Sequence, residues 1–261
     1  MLEFAKKMAR EAGSLALGYY KEGMKYSVKT KPDDLVTEAD LVVSNFIINQ
    51  IKNIYPDHGI LSEEEEEIIN DSAQYVWVID PIDGTRNFAK HIAVWCIMIG
   101  LEKDGKPYIG VIYDAVNDEL FYAEIGKGAF LNDHKIEVNR QSDLDYCFLS
   151  YSGGENRLNS PYNIPNDIFD KYKRFYVNLI GDNGHWVSNY GTLLSISHLA
   201  TGRIDAVVND AGLYHDYLAS VVIAREAGAL VTDSDGNPWK KGRRDIVIAN
   251  PLLHKKLLEL F

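Results

Sequence analysis

The sequence predicts an α+β fold, because patterns typical of helices and of strands both occur along its 261 residues. Apolar side chains recur at three- and four-residue steps over residues 2–21, which predicts an amphipathic helix. Apolar runs separated by turn residues over residues 95–124 predict an antiparallel meander of strands. A chain of this length is suited to one large domain or two closely packed domains.

The remaining elements follow from the same kinds of pattern. Thr37 and Asp40 are cap-type residues that open a second helix, which ends before Pro56. Residues 75–80 predict a short buried strand that stops at an acidic loop, where a strand can deliver a side chain to a site. Further helices are predicted over residues 192–200 and 216–227, and further strands over residues 204–208, 230–231 and 246–248.

A boundary between two domains is predicted near the middle of the chain. Residues 152–184 are polar and rich in Asn and Tyr, and the apolar period returns only after them. We therefore expect an N-terminal domain over residues 1–147 and a C-terminal domain over residues 148–261.

Charge and cysteine content argue against several classes of function. The chain has 27 Lys and Arg against 38 Asp and Glu, and its net charge of −11 would repel a phosphate backbone, so nucleic acid is not an expected partner. Cys96 and Cys147 are expected to be reduced thiols in a cytosolic protein. No stretch approaches the roughly 20 uncharged apolar residues of a membrane span, so no membrane contact is expected and we predict a cytoplasmic location.

The segment over residues 80–88 carries the strongest chemical signal. Asp80 and Asp83 follow the predicted buried strand and can both face one cleft, where their oxygens suit a hard cation such as Mg²⁺. Gly84 allows the backbone to approach a ligand closely, and Thr85 begins a predicted helix whose free N–H groups can hold phosphate. The segment therefore predicts a metal site and a phosphate site in one loop.

This segment resembles the signature of the inositol monophosphatase family, whose members are Mg²⁺-dependent, lithium-sensitive phosphatases. The other matching segments are residues 34–40, 63–64, 110–114, 119–122, 126–132, 216 and 226–228. The similarity covers nearly the whole chain in order, and only residues 148–187 lack a recognisable match. The resemblance implies a layered αβαβα sandwich with an α+β half followed by an α/β half.

The resemblance also implies a set of metal ligands. Glu63, Asp80 and the carbonyl group of Ile82 would hold one Mg²⁺, and Asp80, Asp83 and Asp216 would hold a second. A third, weaker ion near Glu63 gives two to three Mg²⁺ per active site. Such ions can polarise a phosphate ester and activate water for in-line displacement, so no covalent intermediate is needed.

Catalytic and phosphate-binding roles are implied in the same way. Thr85, hydrogen-bonded to Asp40, would accept a proton from the attacking water and orient it, and Glu63 would share in catalysis. The N–H groups of Gly84 and Thr85 would bind phosphate oxygens. The substrate side of the cleft would be formed by Arg86, Ser188, Asn209 and Asp210.

Several of these positions also allow plainer roles. Asp40 and Asp216 could each cap a helix, and Glu65, Glu66 and Glu67 are expected to be solvated. His215 is interpreted as a surface histidine, because hard Mg²⁺ prefers oxygen ligands. Leu218 stands where the family has a small residue, so we expect the local packing to differ.

The predicted function is a Mg²⁺-dependent phosphomonoesterase that acts on inositol monophosphate or a related small polyol or sugar phosphate. Arg86 resembles the branch that hydrolyses histidinol phosphate, which is the main alternative, and fructose 1,6-bisphosphate and 3′-phosphoadenosine nucleotides are further candidate substrates. A catalytically silent binding module is the non-enzyme alternative, and the intact carboxylates argue against it. The resemblance further implies a homodimer and inhibition by lithium.

Overall fold

The computed structural model describes residues 1–22, 26–28, 35–65, 68–152, 166–181 and 186–261, so Asp34, Glu66 and Glu67 of the predicted motifs lie outside the described residues. The helices are α1 (Leu2–Glu22), α2 (Glu38–Ile54), α3 (Thr85–Ala89), α4 (Asn166–Leu179), α5 (Leu194–Ala200), α6 (Tyr214–Glu226) and α7 (Pro251–Leu258). The strands are β1 (Tyr26–Val28), β2 (Leu35–Thr37), β3 (Gly59–Ser62), β4 (Tyr75–Asp83), β5 (Cys96–Lys103), β6 (Lys106–Asp114), β7 (Glu119–Glu124), β8 (Ala129–Leu131), β9 (His134–Ile136), β10 (Phe148–Ser152), β11 (Trp186–Ser188), β12 (Ala206–Asn209), β13 (Leu230–Thr232) and β14 (Ile246–Ala249).

The helices and strands predicted from the apolar patterns are present, with ends that differ by a few residues. α1, α2, α5 and α6 correspond to the four predicted helices, and β5, β6 and β7 form the predicted meander. The strand predicted over residues 75–80 continues to Asp83 as β4. Helix α4, which the sequence analysis did not predict, lies within the polar stretch of residues 152–184.

The chain divides into two compact units. The first unit contains Met1–Lys135, Gly191–Leu194 and His215–Ile223. The second unit contains Ile136–Tyr190, Ser195–Tyr214 and Ala224–Phe261. These units are groupings of residues in space, and the domain boundary predicted after residue 147 stays a prediction.

In the first unit, two helices cover one face of a seven-stranded sheet of order β3-β4-β5-β6-β7-β8-β9. β3 and β4 pair in parallel, and the strands from β4 to β8 pair antiparallel. Small side chains line the buried face of α1, which allows it to approach the sheet closely; they are Ala5, Ala9, Ala12, Gly13 and Ala16. A Cβ atom added at Gly13 would lie 2.5 Å from the ring of Tyr113 on β6.

The first unit also holds part of α6 close to two glycines of the sheet. Gly100 on β5 and Gly110 on β6 are direct partners across the two strands. A Cβ atom at Gly100 would lie 2.2 Å from Leu218 Cδ2, and one at Gly110 would lie 2.2 Å from the carbonyl oxygen of Ala219. The absence of a side chain at Gly100 therefore leaves room for Leu218, where we expected the local packing to differ from the family pattern. This contact fixes the turn of α6 that carries Asp216.

The second unit contains a five-stranded sheet of order β11-β10-β12-β14-β13. β10 is parallel to β11 and β12, and β14 is antiparallel to β12 and β13. Helices α4 and α7 supply the apolar side chains that pack with this sheet, namely Tyr172, Phe175, Leu179, Leu253 and Leu257. The ring of Phe261 stacks on Phe175 with 4.4 Å between centroids, so the last described residue belongs to this core.

Two sequence predictions concern membranes and thiols. No helix in the described part of the chain combines the length and the apolar composition that crossing a membrane requires. Both cysteines, Cys96 and Cys147, are free and buried.

Candidate active site

A bulge in β4 places two predicted ligands at one end of the strand. Asp80 pairs with Met98 and Asp83 pairs with Cys96 on β5, so three steps along β4 correspond to two along its partner. The extra residue interrupts the hydrogen-bonded pairing of β4 with β5 and changes the direction of the side chains that follow it. Bulges of this kind tolerate a proline, and here that proline is Pro81.

Asp80 lies in a crowded acidic environment. Its side chain is buried, and burial raises the pKa of its carboxyl group well above the ordinary 3.8. The neighbouring charges of Glu63, Asp83 and Asp216 raise that pKa further. Four of the predicted metal-binding side chains are therefore close enough to interact electrostatically, although they come from segments far apart in the sequence.

Asp83 is held by donors that the sequence did not indicate. Its Oδ2 atom accepts hydrogen bonds from the backbone N–H of Leu193 (2.7 Å), from the Thr192 hydroxyl and from the Cys96 thiol (3.5 Å). Burial raises the pKa of Asp83 to about 7; the bonds from Thr192 and Leu193 oppose this rise, and the charge of Asp216 adds to it. No described residue donates to Oδ1, which leaves that oxygen available to a cation.

Glu63 is fixed beside Asp80 by the pairing of β3 with β4. The N–H of Glu63 donates to the carbonyl oxygen of Ile79 at 3.0 Å, which continues the parallel pairing by one residue. Ser62 is buried, and its hydroxyl lies 2.9 Å from that of Ser44. Glu63 is half-buried, whereas Glu65 is exposed as expected for a solvated glutamate.

Asp216 lies in the first turn of α6 and is not its cap residue. The Nε2 atom of His215 is 3.3 Å from Asp216 Oδ1, and the His215 side chain is only 11% exposed. His215, interpreted from the sequence as a surface histidine, is therefore partly buried and in contact with the Asp216 carboxylate.

Asp40 and Thr85 form the predicted hydrogen bond. The Thr85 hydroxyl lies 3.2 Å from Asp40 Oδ1 and 3.0 Å from the carbonyl oxygen of Ile82, and its single proton can be donated to one of them at a time. Asp40 Oδ2 accepts from the N–H of Thr37 at 2.7 Å and from its hydroxyl at 2.5 Å. Asp40 thus serves both as part of a capping box and as a partner of Thr85.

Gly84 adopts a backbone conformation that suits glycine. Its φ is 93°, in the left-handed region, at the start of α3. A Cβ atom there would lie 3.1 Å from Thr192 Cβ and 3.2 Å from the carbonyl oxygen of Val94. A larger residue would therefore push the predicted phosphate loop away from the backbone that supports Asp83.

The predicted substrate-side residues have different surroundings. Arg86 is exposed at the start of α3. In the second unit, Ser188 and Asp210 line one cavity, and Asn209 is not among its lining residues. Asn209 Oδ1 accepts from the backbone N–H groups of Ala211 (2.9 Å) and Gly212 (3.2 Å), which holds the turn after β12.

The donor set suits a hard divalent cation. Among the described residues, no group of three Asp, Glu, His or Cys side chains is arranged so that it could hold a metal ion. The mutual proximity of Asp80, Glu63, Asp83 and Asp216 nevertheless favours a cation, because buried oxygens of like charge need a positive charge or a proton between them.

The whole chain is similar to proteins of one family. The family described as "Inositol monophosphatase family" matches residues 1–261. The chain belongs to the inositol monophosphatase family. It is 33% identical over 260 residues to an inositol-1-monophosphatase of Bacillus subtilis, with 98% of this chain and 94% of the relative covered. It is 30% identical over 263 residues to the Nus factor SuhB of Escherichia coli, with 99% and 94% covered.

Structural similarity agrees with family membership. The crystal structure of the extragenic suppressor protein suhB from Bartonella henselae matches with a TM-score of 0.87 and 31% identity, covering 97% of this chain and 95% of that one. The predicted α+β sandwich class of the inositol monophosphatase family is thereby confirmed.

Proposed function

We propose that the chain is a Mg²⁺-dependent phosphomonoesterase that hydrolyses inositol monophosphate or a related small polyol or sugar phosphate with an activated water. Membership of the inositol monophosphatase family supports phosphatase chemistry. The observation that carries the proposal is the buried carboxyl group of Asp80 with Glu63, Asp83 and Asp216 around it. Such a cluster is suited to concentrating divalent cations against a phosphate group.

In this proposal Glu63, Asp80 and the carbonyl of Ile82 hold one Mg²⁺, and Asp80, Asp83 and Asp216 hold a second. When bound, the two to three ions would polarise the ester, lower the pKa of the attacking water and neutralise the leaving alkoxide. The Oδ1 atom of Asp83, to which no described residue donates, supports this use of its carboxylate.

The residues of the chain would handle the proton and the phosphate. When Thr85 donates its single proton to Asp40, its oxygen can accept a proton from the attacking water. Three donors face Asp40, from Thr37 and Thr85, which holds its carboxylate as an acceptor for this relay. The N–H groups of Gly84 and Thr85 would bind the phosphate oxygens.

Phosphate release from a panel of esters tests this function. We expect release in Mg²⁺ from inositol 1-phosphate, and loss of at least about 99% of it in Asp83→Asn, which removes a charge at constant volume. Asp57→Asn, the same change at an exposed carboxylate, is the matched control. Equal turnover of Asp83→Asn and Asp57→Asn in saturating Mg²⁺ would reject the metal assignment.

A non-enzymatic role has one observation in its favour. A relative with 30% identity carries the name Nus factor SuhB, which is not an enzyme name. If the panel gives no phosphate release from inositol 1-phosphate, histidinol phosphate, fructose 1,6-bisphosphate or 3′-phosphoadenosine 5′-phosphate, a binding module becomes the better proposal.

Three properties of the whole protein belong to the same proposal. We infer a homodimer and inhibition by lithium at millimolar order by resemblance to the family, and a cytoplasmic location from the two cysteines expected to be reduced. Light scattering on the purified chain and lithium titration of the phosphate release test the first and the second.

A further inference from the structure

Two of the three carboxylates proposed for the second Mg²⁺ each have one oxygen close to a nitrogen atom of the chain. Asp80 Oδ1 accepts a hydrogen bond from the backbone N–H of Ile82 at 3.1 Å. Asp216 Oδ1 lies 3.3 Å from the Nε2 atom of His215. An oxygen that takes part in such a contact has fewer lone pairs for a cation, so each carboxylate presents its two oxygens unequally.

The third carboxylate, that of Asp83, is held most completely. Its Oδ2 atom accepts hydrogen bonds from the Thr192 hydroxyl and from the backbone N–H of Leu193, the latter at 2.7 Å. A carboxylate oxygen has two lone pairs, and these two donors occupy both of them. The Cys96 thiol adds a third, weaker contact at 3.5 Å. Oδ1 is therefore the oxygen of Asp83 that can reach a cation.

The Thr192 hydroxyl is fixed as a donor to Asp83. Its oxygen accepts a hydrogen bond from the backbone N–H of Leu194 at 3.1 Å, and its single proton is directed to the carboxylate. Thr192 is only 6% exposed, so water does not readily replace this donor. Thr192, Leu193 and Asp83 all belong to the first unit, as do the other carboxylates of the site.

We propose that Thr192 is a positioning residue that makes Asp83 coordinate the second ion through one oxygen only and thereby favours Mg²⁺ over Ca²⁺. The inference rests on the proposed Mg²⁺-dependent function and adds a determinant of metal choice. Mg²⁺ requires nearly ideal octahedral coordination at about 2.0–2.1 Å and usually keeps several waters. Ca²⁺ takes about six to eight oxygens at about 2.3–2.6 Å and can bind both oxygens of one carboxylate.

Coordination through one oxygen of each carboxylate suits the smaller ion. Three carboxylates that give one oxygen each leave room around Mg²⁺ for water and a phosphate group, and they supply few oxygens to Ca²⁺. Rotation of Asp83 about its Cβ–Cγ bond would bring Oδ2 toward the ion as well, and the hydrogen bond from Thr192 opposes that rotation. Loss of this hydroxyl should therefore weaken the binding of Mg²⁺ much more than the binding of Ca²⁺.

Calorimetric titration of the metal-free protein with Mg²⁺, and separately with Ca²⁺, tests this inference. The second site is identified as the binding event that Asp83→Asn removes. Thr192→Ala and Thr192→Val both eliminate the donor, and valine keeps the volume in case the alanine variant does not fold. We expect each to weaken Mg²⁺ binding at this site about tenfold, as for loss of a residue that orients a metal ligand, and to change Ca²⁺ binding by less than about threefold. Thr192→Ser keeps the hydroxyl and should restore the wild-type ratio of the two dissociation constants.

Thr201→Ala is the matched control. The Thr201 hydroxyl donates to the backbone carbonyl of His198 at 2.9 Å, and this residue lies outside the first unit. Equal losses of Mg²⁺ and Ca²⁺ affinity in the Thr192 variants would overturn the inference, because Thr192 would then only support the loop. Unchanged affinities for both ions would overturn it as well.

Asp83→Asn separates this inference from the proposed function. If Asp83→Asn weakens Mg²⁺ binding while Thr192→Ala and Thr192→Val leave the ratio of the two dissociation constants unaltered, the Mg²⁺ site stands and the inference fails. If Mg²⁺ binding is the same in Asp83→Asn and in wild type, the ion binds elsewhere, and both the inference and the metal assignment fail.

Discussion

At the scale of single residues, the acidic site combines carboxylates in distinct positions. Asp83 receives three donors on one oxygen, whereas Asp80 is buried among like charges. Asp40 has a third role, because one of its oxygens accepts a hydrogen bond from Thr37 at the start of α2 and the other accepts one from Thr85. The Thr85 hydroxyl therefore lies between the Asp40 carboxylate and the carbonyl group of Ile82. The proposed proton transfer depends on this one hydroxyl group.

Replacing Thr85 tests that dependence. Thr85→Val keeps the shape but removes the hydroxyl, and we expect kcat to fall by about 10²–10⁴, the usual contribution of general acid–base catalysis. Thr85→Ser keeps the hydroxyl and should retain activity within about tenfold. Phosphate release at saturating substrate and Mg²⁺ measures both. Equal rates for the valine and serine variants would exclude Thr85 from the proton relay and reduce it to a helix-start residue.

At the scale of elements, the Gly100–Gly110 pair positions α6. The two residues face each other across β5 and β6, and the helix backbone lies over the space that their missing side chains leave. At Gly100 the helix presents the flexible end of Leu218, but at Gly110 it presents the carbonyl oxygen of Ala219. A rotamer change can relieve the first contact but not the second.

This difference predicts unequal costs for two identical substitutions. Gly110→Ala should lower the free energy of unfolding by about 2–4 kcal/mol, at the upper end of overpacking effects, and reduce activity by displacing Asp216. Gly100→Ala should cost about 1–2 kcal/mol, and Leu218→Ala should restore part of that loss in the double variant. Urea unfolding measures the wild type, the three single variants and the two double variants that carry Leu218→Ala. A Leu218→Ala background that rescues Gly110→Ala equally well would contradict the assigned contacts.

The elements also show what sequence could and could not predict. The strand before Asp80 and the carboxylates around it follow from local patterns and from the family resemblance. The donors Thr192 and Leu193 do not, because they are 109 and 110 residues from Asp83 and only the fold brings them together. α4 is missed since its apolar positions are embedded in polar sequence, although Tyr172, Phe175 and Leu179 keep a helical spacing.

At the scale of the whole molecule, the acidic site makes the free energy of unfolding depend on pH and on divalent cations. Burial raises the pKa of Asp83 to about 7, against an ordinary value of 3.8, and the pKa of Asp80 rises in the same direction. Without a divalent cation, these carboxyl groups lose their protons at a lower pH in the unfolded chain than in the folded chain. Their contribution to the free energy of unfolding is therefore fully present below about pH 4 and is lost as the pH rises through 7.

Other groups titrate in the opposite direction, so a variant is needed to isolate the site. Burial lowers the pKa of His254 below its ordinary 6.5, and its contribution to stability is lost as the pH falls. Asp80→Asn leaves His254 unchanged and removes one crowded carboxylate. The difference between wild type and Asp80→Asn therefore reports the acidic site alone.

We expect Asp80→Asn to melt higher than wild type in EDTA at about pH 8, by at least about 3 °C, and the difference to shrink toward about pH 5. Mg²⁺ should raise the melting temperature of wild type more at the higher pH, where fewer protons compete for the carboxylates, and should raise that of Asp80→Asn less. Calorimetry at constant ionic strength measures these shifts, with Asp57→Asn as the control carboxylate. If Mg²⁺ raises the melting temperature of wild type and of Asp80→Asn equally, and by the same amount at every pH, the ion binds elsewhere. The reason is that cation binding depends on pH only when the groups that hold the cation are those that release protons.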